Sequence, residues 1–292
     1  MPELPDITVY IEALEARVVG ETLADAKIVN PFVLRTVSPP LSRIVGARVE
    51  RIRRMGKRIV FEFEDDLFLV IHLMIAGRLR WRSPGEGVRP APLARFEFPA
   101  GVLFLTEAGK KRRASIHLVE GEQALVEFDR GGLEVMSSSV AEFAERLRLE
   151  NHTVKRSLTD PRLFSGVGNA YSDEILHHAR MSPLLLTSKM TDDQIATLHD
   201  AVLAQLRKWT DELRAELNGT FPEKVTAFRE GMAVHGKFGK PCPVCGAPVQ
   251  RIRYADNETN YCARCQTGGR LLADRAMSRL LKQDWPRSLD EL

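Results

Sequence analysis

The feature that most constrains this 292-residue chain is its four cysteines. They fall in two Cys-x-x-Cys pairs, Cys242–Cys245 and Cys262–Cys265, with sixteen residues between the pairs. Each pair can offer two thiolates from one tight turn, and the spacer is long enough for a β-hairpin. Four protein thiolates complete a tetrahedral coordination sphere and leave no position for water. The group expected here is therefore one structural Zn2+. Two disulfides or four free thiols are the alternatives, and a reducing cytosol disfavours the first. Arg251, Arg253 and Arg264 decorate the module and suit phosphate contacts. A zinc ribbon that binds only protein would share the same spacing.

The rest of the chain reads as α+β and multidomain. Its length corresponds to roughly two domains. A hydrophobic fraction of 44% supplies enough apolar material for a real core and argues against disorder. Ile7, Tyr10, Ile11, Leu14 and Val18 recur at helical spacing, which predicts an amphipathic helix over 4–19. From Leu23 to about Val135 short apolar runs such as Arg58–Phe63, Leu67–Ile71 and Gly101–Leu105 alternate with turn residues. They predict a β-sandwich or barrel, with hairpin connections at Asp65-Asp66 and Pro99-Ala100-Gly101. Helices are expected over Val140–Leu149 and at about 152–160, 168–179, 191–215 and 222–230. The resulting organisation is a helix and β-sandwich over 1–136, a helical domain over 137–235, a zinc module over 236–268 and a tail helix over 269–292.

Net charge is +3, too mild by itself to demand a polyanionic partner. The distribution says more. Arg51, Arg53, Arg54, Lys57 and Arg58 form one cluster, and Lys110, Lys111, Arg112 and Arg113 another. No apolar run approaches the ~20 residues that span a bilayer. No leader pattern opens the chain, so a cytoplasmic location is expected.

The opening residues, Met1-Pro2-Glu3-Leu4-Pro5, allow a chemical reading. Removal of Met1 would leave a secondary amine on Pro2. An α-amino group titrates near ~7.7–8.0, so part of it is unprotonated at neutral pH. Such an amine can attack an electrophilic sugar carbon and form an iminium ion, with Glu3 beside it as acid or base. A proline that merely caps the first helix is the plainer alternative.

Together these segments resemble the formamidopyrimidine-DNA glycosylase/endonuclease VIII family, nearer its formamidopyrimidine branch. The resemblance runs in order through Met1–Pro5, Arg53-Arg54-Met55-Gly56-Lys57, His72–Arg80, Gly166–Glu174 and Cys242–Gln266. It implies a helix plus β-sandwich, a helix-two-turn-helix domain and a four-cysteine zinc finger, with DNA in the cleft between the lobes. It also implies a bifunctional enzyme acting as a monomer on double-stranded DNA that carries damaged bases or abasic sites. The damaged nucleotide is flipped out because its sugar carbon is unreachable within the stack. Pro2 attacks C1′, Glu3 moves protons and Lys57 assists. DNA contacts are implied for His72, Arg112, Arg113, Lys155, Asn169 and Arg253. Simpler roles stand beside these: a satisfied strand histidine for His72, a turn-stabilising amide for Asn169, and solvated charges for Lys57 and Lys155.

Three departures accompany the resemblance. Asn257 stands two residues before Thr259, where the family presents an arginine. Ile75 stands where a void-filling methionine is expected, with Met74 adjacent, and no phenylalanine accompanies Arg112 and Arg113. The segment from about Asn218 to Gly231 is short of the glycine-aromatic elements expected over an oxidised purine. A lyase acting only on abasic sites, a non-catalytic damaged-DNA-binding protein and a zinc-ribbon adapter are the competing readings.

Overall fold

The computed structural model describes all residues except 109–110, 224, 255–256, 274–279, 281–285 and 292, and Tyr254 and Asn257 by backbone alone. The chain divides into two compact units. The first comprises Met1–Arg130 and Trp209–Thr226, the second Gly131–Lys208 and Ala227–Leu292.

In the first unit, helix α1 runs over Leu4–Val18. Its start is fixed by a capping box: the Glu3 N–H donates to the Asp6 carboxylate at 2.9 Å, and Pro5 lies in the first turn. Two four-stranded antiparallel sheets follow. One is ordered β1–β6–β7–β5, from Asp25–Ile28, Ala94–Phe98, Gly101–Glu107 and Gly77–Arg82. The other is β2–β3–β4–β8, from Val49–Met55, Arg58–Phe63, Leu67–His72 and Ser115–Glu120. Period-two alternation gives each sheet one inner face. Phe61, Phe63, Leu69, Ile71, Ile116 and Leu118 from one sheet share a core with Leu79, Phe96, Phe98, Leu103 and Leu105 from the other. Ile7, Tyr10, Leu14 and Val18 of α1 join that core, so the expected sandwich with its helix is observed. The turn at Asp65 and Asp66 has φ of 61° and 56°, the left-handed pair that a two-residue hairpin requires.

Two local expectations need correction. The β region is not free of helix: α2, Glu122–Leu125, covers the outer face of β3 and β4 by placing Leu125 against Val60, Phe68 and Val70. Nor do the described residues of 222–230 form a helix. Phe221 and Val225 sink into the sandwich core, and Arg80 and Arg82 of β5 both bond the Glu223 carboxylate. Tertiary burial and two ion pairs override local propensity in that segment.

The second unit holds α3 (Val140–Arg148), α4 (Val154–Thr159), α5 (Asn169–His178) and the start of α6 (Asp192–Leu217). Ser139 and Glu142 cap α3 reciprocally. Phe143 and Phe164 pack at 4.6 Å between ring centroids. The hairpin β9 (Gln250–Tyr254) and β10 (Asn257–Tyr261) and helix α7 (Ala263–Thr267) complete the unit. Leu271 and Leu272 are buried against Ile252, Tyr261 and Ala263. The expected tail helix through Met277, Leu281 and Trp285 lies largely outside the described residues. Among the described residues no helix is long and apolar enough to cross a membrane.

Candidate functional site

The start of the chain is enclosed. Pro2 is buried, and Glu3 is 2% exposed at the N-cap of α1. The α-amine of Met1 is partly desolvated, which lowers its pKa. Arg78 and Lys57 press it the same way, while Glu3 and Asp6 oppose them. An amine in this setting keeps its lone pair at neutral pH more readily than a free one. Lys57 lies on the β2–β3 turn, whose Gly56 has φ of 60° and whose carbonyl accepts from Arg54 Nη1 at 2.8 Å. Desolvation lowers the Lys57 pKa and the Glu3 carboxylate holds it up. The chain's amino group, Glu3 and Lys57 thus share one electrostatic neighbourhood, with Pro2 buried between the first two in sequence.

His72 ends β4 directly opposite Arg58 of β3 and Ser115 of β8. Burial pushes its pKa down to about 4, and Arg58, Lys57 and His117 push further. It is therefore a neutral hydrogen-bonding group at neutral pH. The unfolded chain binds a proton on this ring near pH ~6.5, the folded chain only near 4. Unfolding free energy should thus fall as pH drops from about 6.5 toward 4. The His72→Gln variant should lose that part of the slope in urea titrations, and an unchanged slope would contradict the burial of a neutral ring.

The loop after β4 is closed by the Gly77 N–H on the Leu73 carbonyl at 2.9 Å. A Cβ at Gly77 would lie 2.3 Å from that carbonyl oxygen, so only glycine fits. Met74 has φ of 53° and is half-buried, whereas Ile75 stands at the tip, 57% exposed. Arg112 and Arg113 are exposed as well. Glu107, 5% exposed, anchors the end of their loop by accepting the N–H groups of Arg113 and Ala114 at 2.9–3.3 Å.

In the second unit Asn169 opens α5 after Gly168, and its Nδ2 donates to the Glu258 carbonyl of β10 at 2.9 Å. The expected helix-start position is observed, but the amide also ties α5 to the zinc hairpin. Lys155 is not presented to solvent: it is 8% exposed and its ammonium pairs with Asp173. Asp173 also accepts from His235 Nδ1 at 2.8 Å. Its neighbour Glu174 takes the N–H groups of Ala233, Val234 and His235 at 2.8–2.9 Å. These adjacent carboxylates were not foreseen; two consecutive acids after the glycine-asparagine turn were the available signal. Arg253 is exposed on β9, 3.7 Å from Glu258. Arg251 also reaches Glu258, at 3.4 Å, and stacks on Phe238, 4.1 Å from the ring centroid.

The four cysteine sulfurs lie within 4.8 Å of one another. A tetrahedron with Zn–S bonds of about 2.3 Å has edges of about 3.8 Å. The Cys242–Cys265 separation of 3.9 Å and the Cys245–Cys262 separation of 3.4 Å match that edge. His177 Nε2 lies 3.3 Å from Cys242 Sγ, in position to donate to a thiolate. The cluster fits one structural zinc.

Comparison with known proteins agrees with this architecture. Residues 1–167 match the formamidopyrimidine-DNA glycosylase N-terminal domain, 132–212 its H2TH domain, and 239–268 the zinc finger found in FPG and IleRS. Formamidopyrimidine-DNA glycosylase of Geobacillus kaustophilus is 30% identical over 280 residues, covering 91% of this chain and 100% of the relative. An uncharacterized formamidopyrimidine-DNA glycosylase-like protein of Mycobacterium tuberculosis is 40% identical over 151 residues, 52% of this chain and 94% of that protein. The Lactococcus lactis enzyme in complex with DNA containing Fapy-dG superposes with a TM-score of 0.80 at 27% identity, over 91% of this chain and 100% of that one. Its complex with DNA containing an abasic site gives 0.79, again at 27% identity, over 91% of this chain and 99% of that one.

Proposed function

Because this chain belongs to the formamidopyrimidine-DNA glycosylase family, we propose that it excises damaged bases from double-stranded DNA and cleaves the strand at the resulting abasic site, with the amine of Pro2 as nucleophile. The observation that carries this reading is the burial of Pro2 and Glu3 at the head of α1, where Lys57 and Arg78 act on the chain's amino group. Loss of Met1 frees the Pro2 nitrogen. That nitrogen bonds to C1′ as the C1′–base bond breaks, and the departing base takes up a proton. Glu3 protonates the ring oxygen as the sugar opens, which leaves an iminium ion. Its positive charge acidifies the C2′ proton, whose removal expels the 3′ phosphate. Lys57, with its lowered pKa, fits a proton-handling or phosphate-holding role beside Glu3. The enzyme works as a monomer in the cytoplasm, where the zinc thiolates are safe from oxidation.

A lyase that acts on abasic sites without releasing bases is favoured by one observation. The segment expected over a flipped purine is partly committed elsewhere, with Phe221 in the core and Glu223 held by Arg80 and Arg82. Duplexes carrying formamidopyrimidine, oxidised purine, hydantoin, oxidised pyrimidine or an abasic site decide between the two. Base release from at least one lesion is expected. Cleavage confined to abasic DNA would establish the lyase-only reading, and no cleavage of any duplex would end both.

A further inference from the structure

Several arginines of the first unit are neutralised. Arg43, Arg48, Arg51, Arg53 and Arg95 each pair with a carboxylate. A group at one end of the β2–β3–β4–β8 sheet behaves differently. Arg58 faces His72 across the β3–β4 ladder, and His117 on β8 lies two residues beyond Ser115, the partner of His72. Successive odd or even positions share a face, so Arg58, His72 and His117 stand on the same outer surface. Phe128 roofs it: the Arg58 guanidinium lies 5.9 Å from its ring centroid, and the His117 ring meets it edge-on at 4.9 Å. Arg58 Nη1 also donates to the Phe128 carbonyl at 3.1 Å. Arg35 is braced alongside by its N–H bond to the Ile116 carbonyl at 2.8 Å, and Arg130 follows Phe128 by two residues.

Among the described residues none of Arg35, Arg58, His72, His117 and Arg130 pairs with a carboxylate. The charges that act on the two imidazoles are all positive: Arg58, Lys57 and His117 on His72, and Arg58 and Arg35 on His117. Gathering cations without a counter-charge costs Coulomb energy that a bound anion would offset.

We propose that Arg35, Arg58, His117 and Arg130 form a phosphate subsite beside Lys57 and His72, which takes one further backbone phosphate of the DNA. The proposal rests on the DNA-acting reading above. Neutral imidazoles donate hydrogen bonds there, while the guanidiniums supply charge and bidentate geometry. The ligand is held by its charge and not by its base, so this contact adds affinity without sequence preference.

The test is fluorescence anisotropy with a duplex carrying a stable abasic analogue, titrated from low to high KCl. The Arg35→Ala/Arg130→Ala variant alters only exposed side chains. Loss of one neutralised phosphate should lower the slope of log K against log salt by about 0.9. Affinity at physiological salt should fall on the order of tenfold. Arg51→Ala, which removes a carboxylate-paired arginine, should change neither. Equal slope and affinity in the double variant and wild type would overturn the subsite. Borohydride trapping on wild type, run in parallel, reports separately on the enzymatic reading. If the variant fails to fold, His117→Ala carries the same expectation at reduced size. Inorganic phosphate at constant ionic strength should not compete at millimolar concentration. Competition that the double variant abolishes would instead make this a free-anion site.

Discussion

A chain extended at its N-terminus by an uncleaved residue or tag should bind abasic DNA and form no borohydride-trapped adduct. The reason is electronic. In a peptide bond the nitrogen lone pair is delocalised into the carbonyl, so an amide at Pro2 cannot attack C1′. Loss of a covalent nucleophile costs at least about 10³-fold in turnover. Binding should survive because α1 begins at Leu4, after the altered position, and its capping box uses Glu3 and Asp6. A single-turnover assay on abasic duplex measures the loss. An extended chain that still cleaves at a comparable rate would move the chemistry to another amine, with half-buried Lys57 the nearest alternative.

Removing zinc should have the second largest effect. The module's own apolar core is small: Val234, Ala247 and Val249 with the buried Cys242 and Cys262. Without a cation, burial pushes the Cys262 thiol up to about 11 and raises Cys265 as well. Metal binding must displace those protons, and the same binding energy is folding energy. In zinc-finger peptides it amounts to roughly 10–16 kcal/mol. Cys245→Ser should therefore lose the one bound zinc and unfold the β9–β10 hairpin. The Asn169 amide would lose its Glu258 partner on β10. DNA affinity should fall by on the order of 100-fold, as for an interface that loses two charge-assisted contacts. Atomic absorption and anisotropy read the two effects. A zinc-free protein that binds as well as wild type would contradict a role for the module in DNA binding.

Much of this was legible in the residues because its signals are local. The spacing Ile7, Tyr10, Leu14 and Val18 marks α1, short apolar runs bounded by turn residues such as Arg58–Phe63 and Gly101–Leu105 mark strands, and the paired cysteines mark the metal site. What was not legible depends on distant partners. Lys155 turns inward only because Asp173, a turn and a helix away, claims its ammonium. The described residues of 222–230 form no helix because Phe221 and Glu223 find partners in α1 and β5, far away in sequence. The outer-face cluster of Arg58, His72 and His117 is invisible until strand register aligns three separate strands. Asn257, standing where the family presents an arginine, lies on the described backbone of β10 opposite Tyr254.

The central claim concerns one nitrogen atom. Borohydride reduction of the reaction on abasic DNA, followed by proteolysis and tandem mass spectrometry, locates the sugar remnant. The account predicts a peptide that begins at Pro2, lacks Met1 and carries the remnant on its terminal nitrogen. A remnant on Lys57 or any other lysine, or active protein that retains Met1, would contradict it.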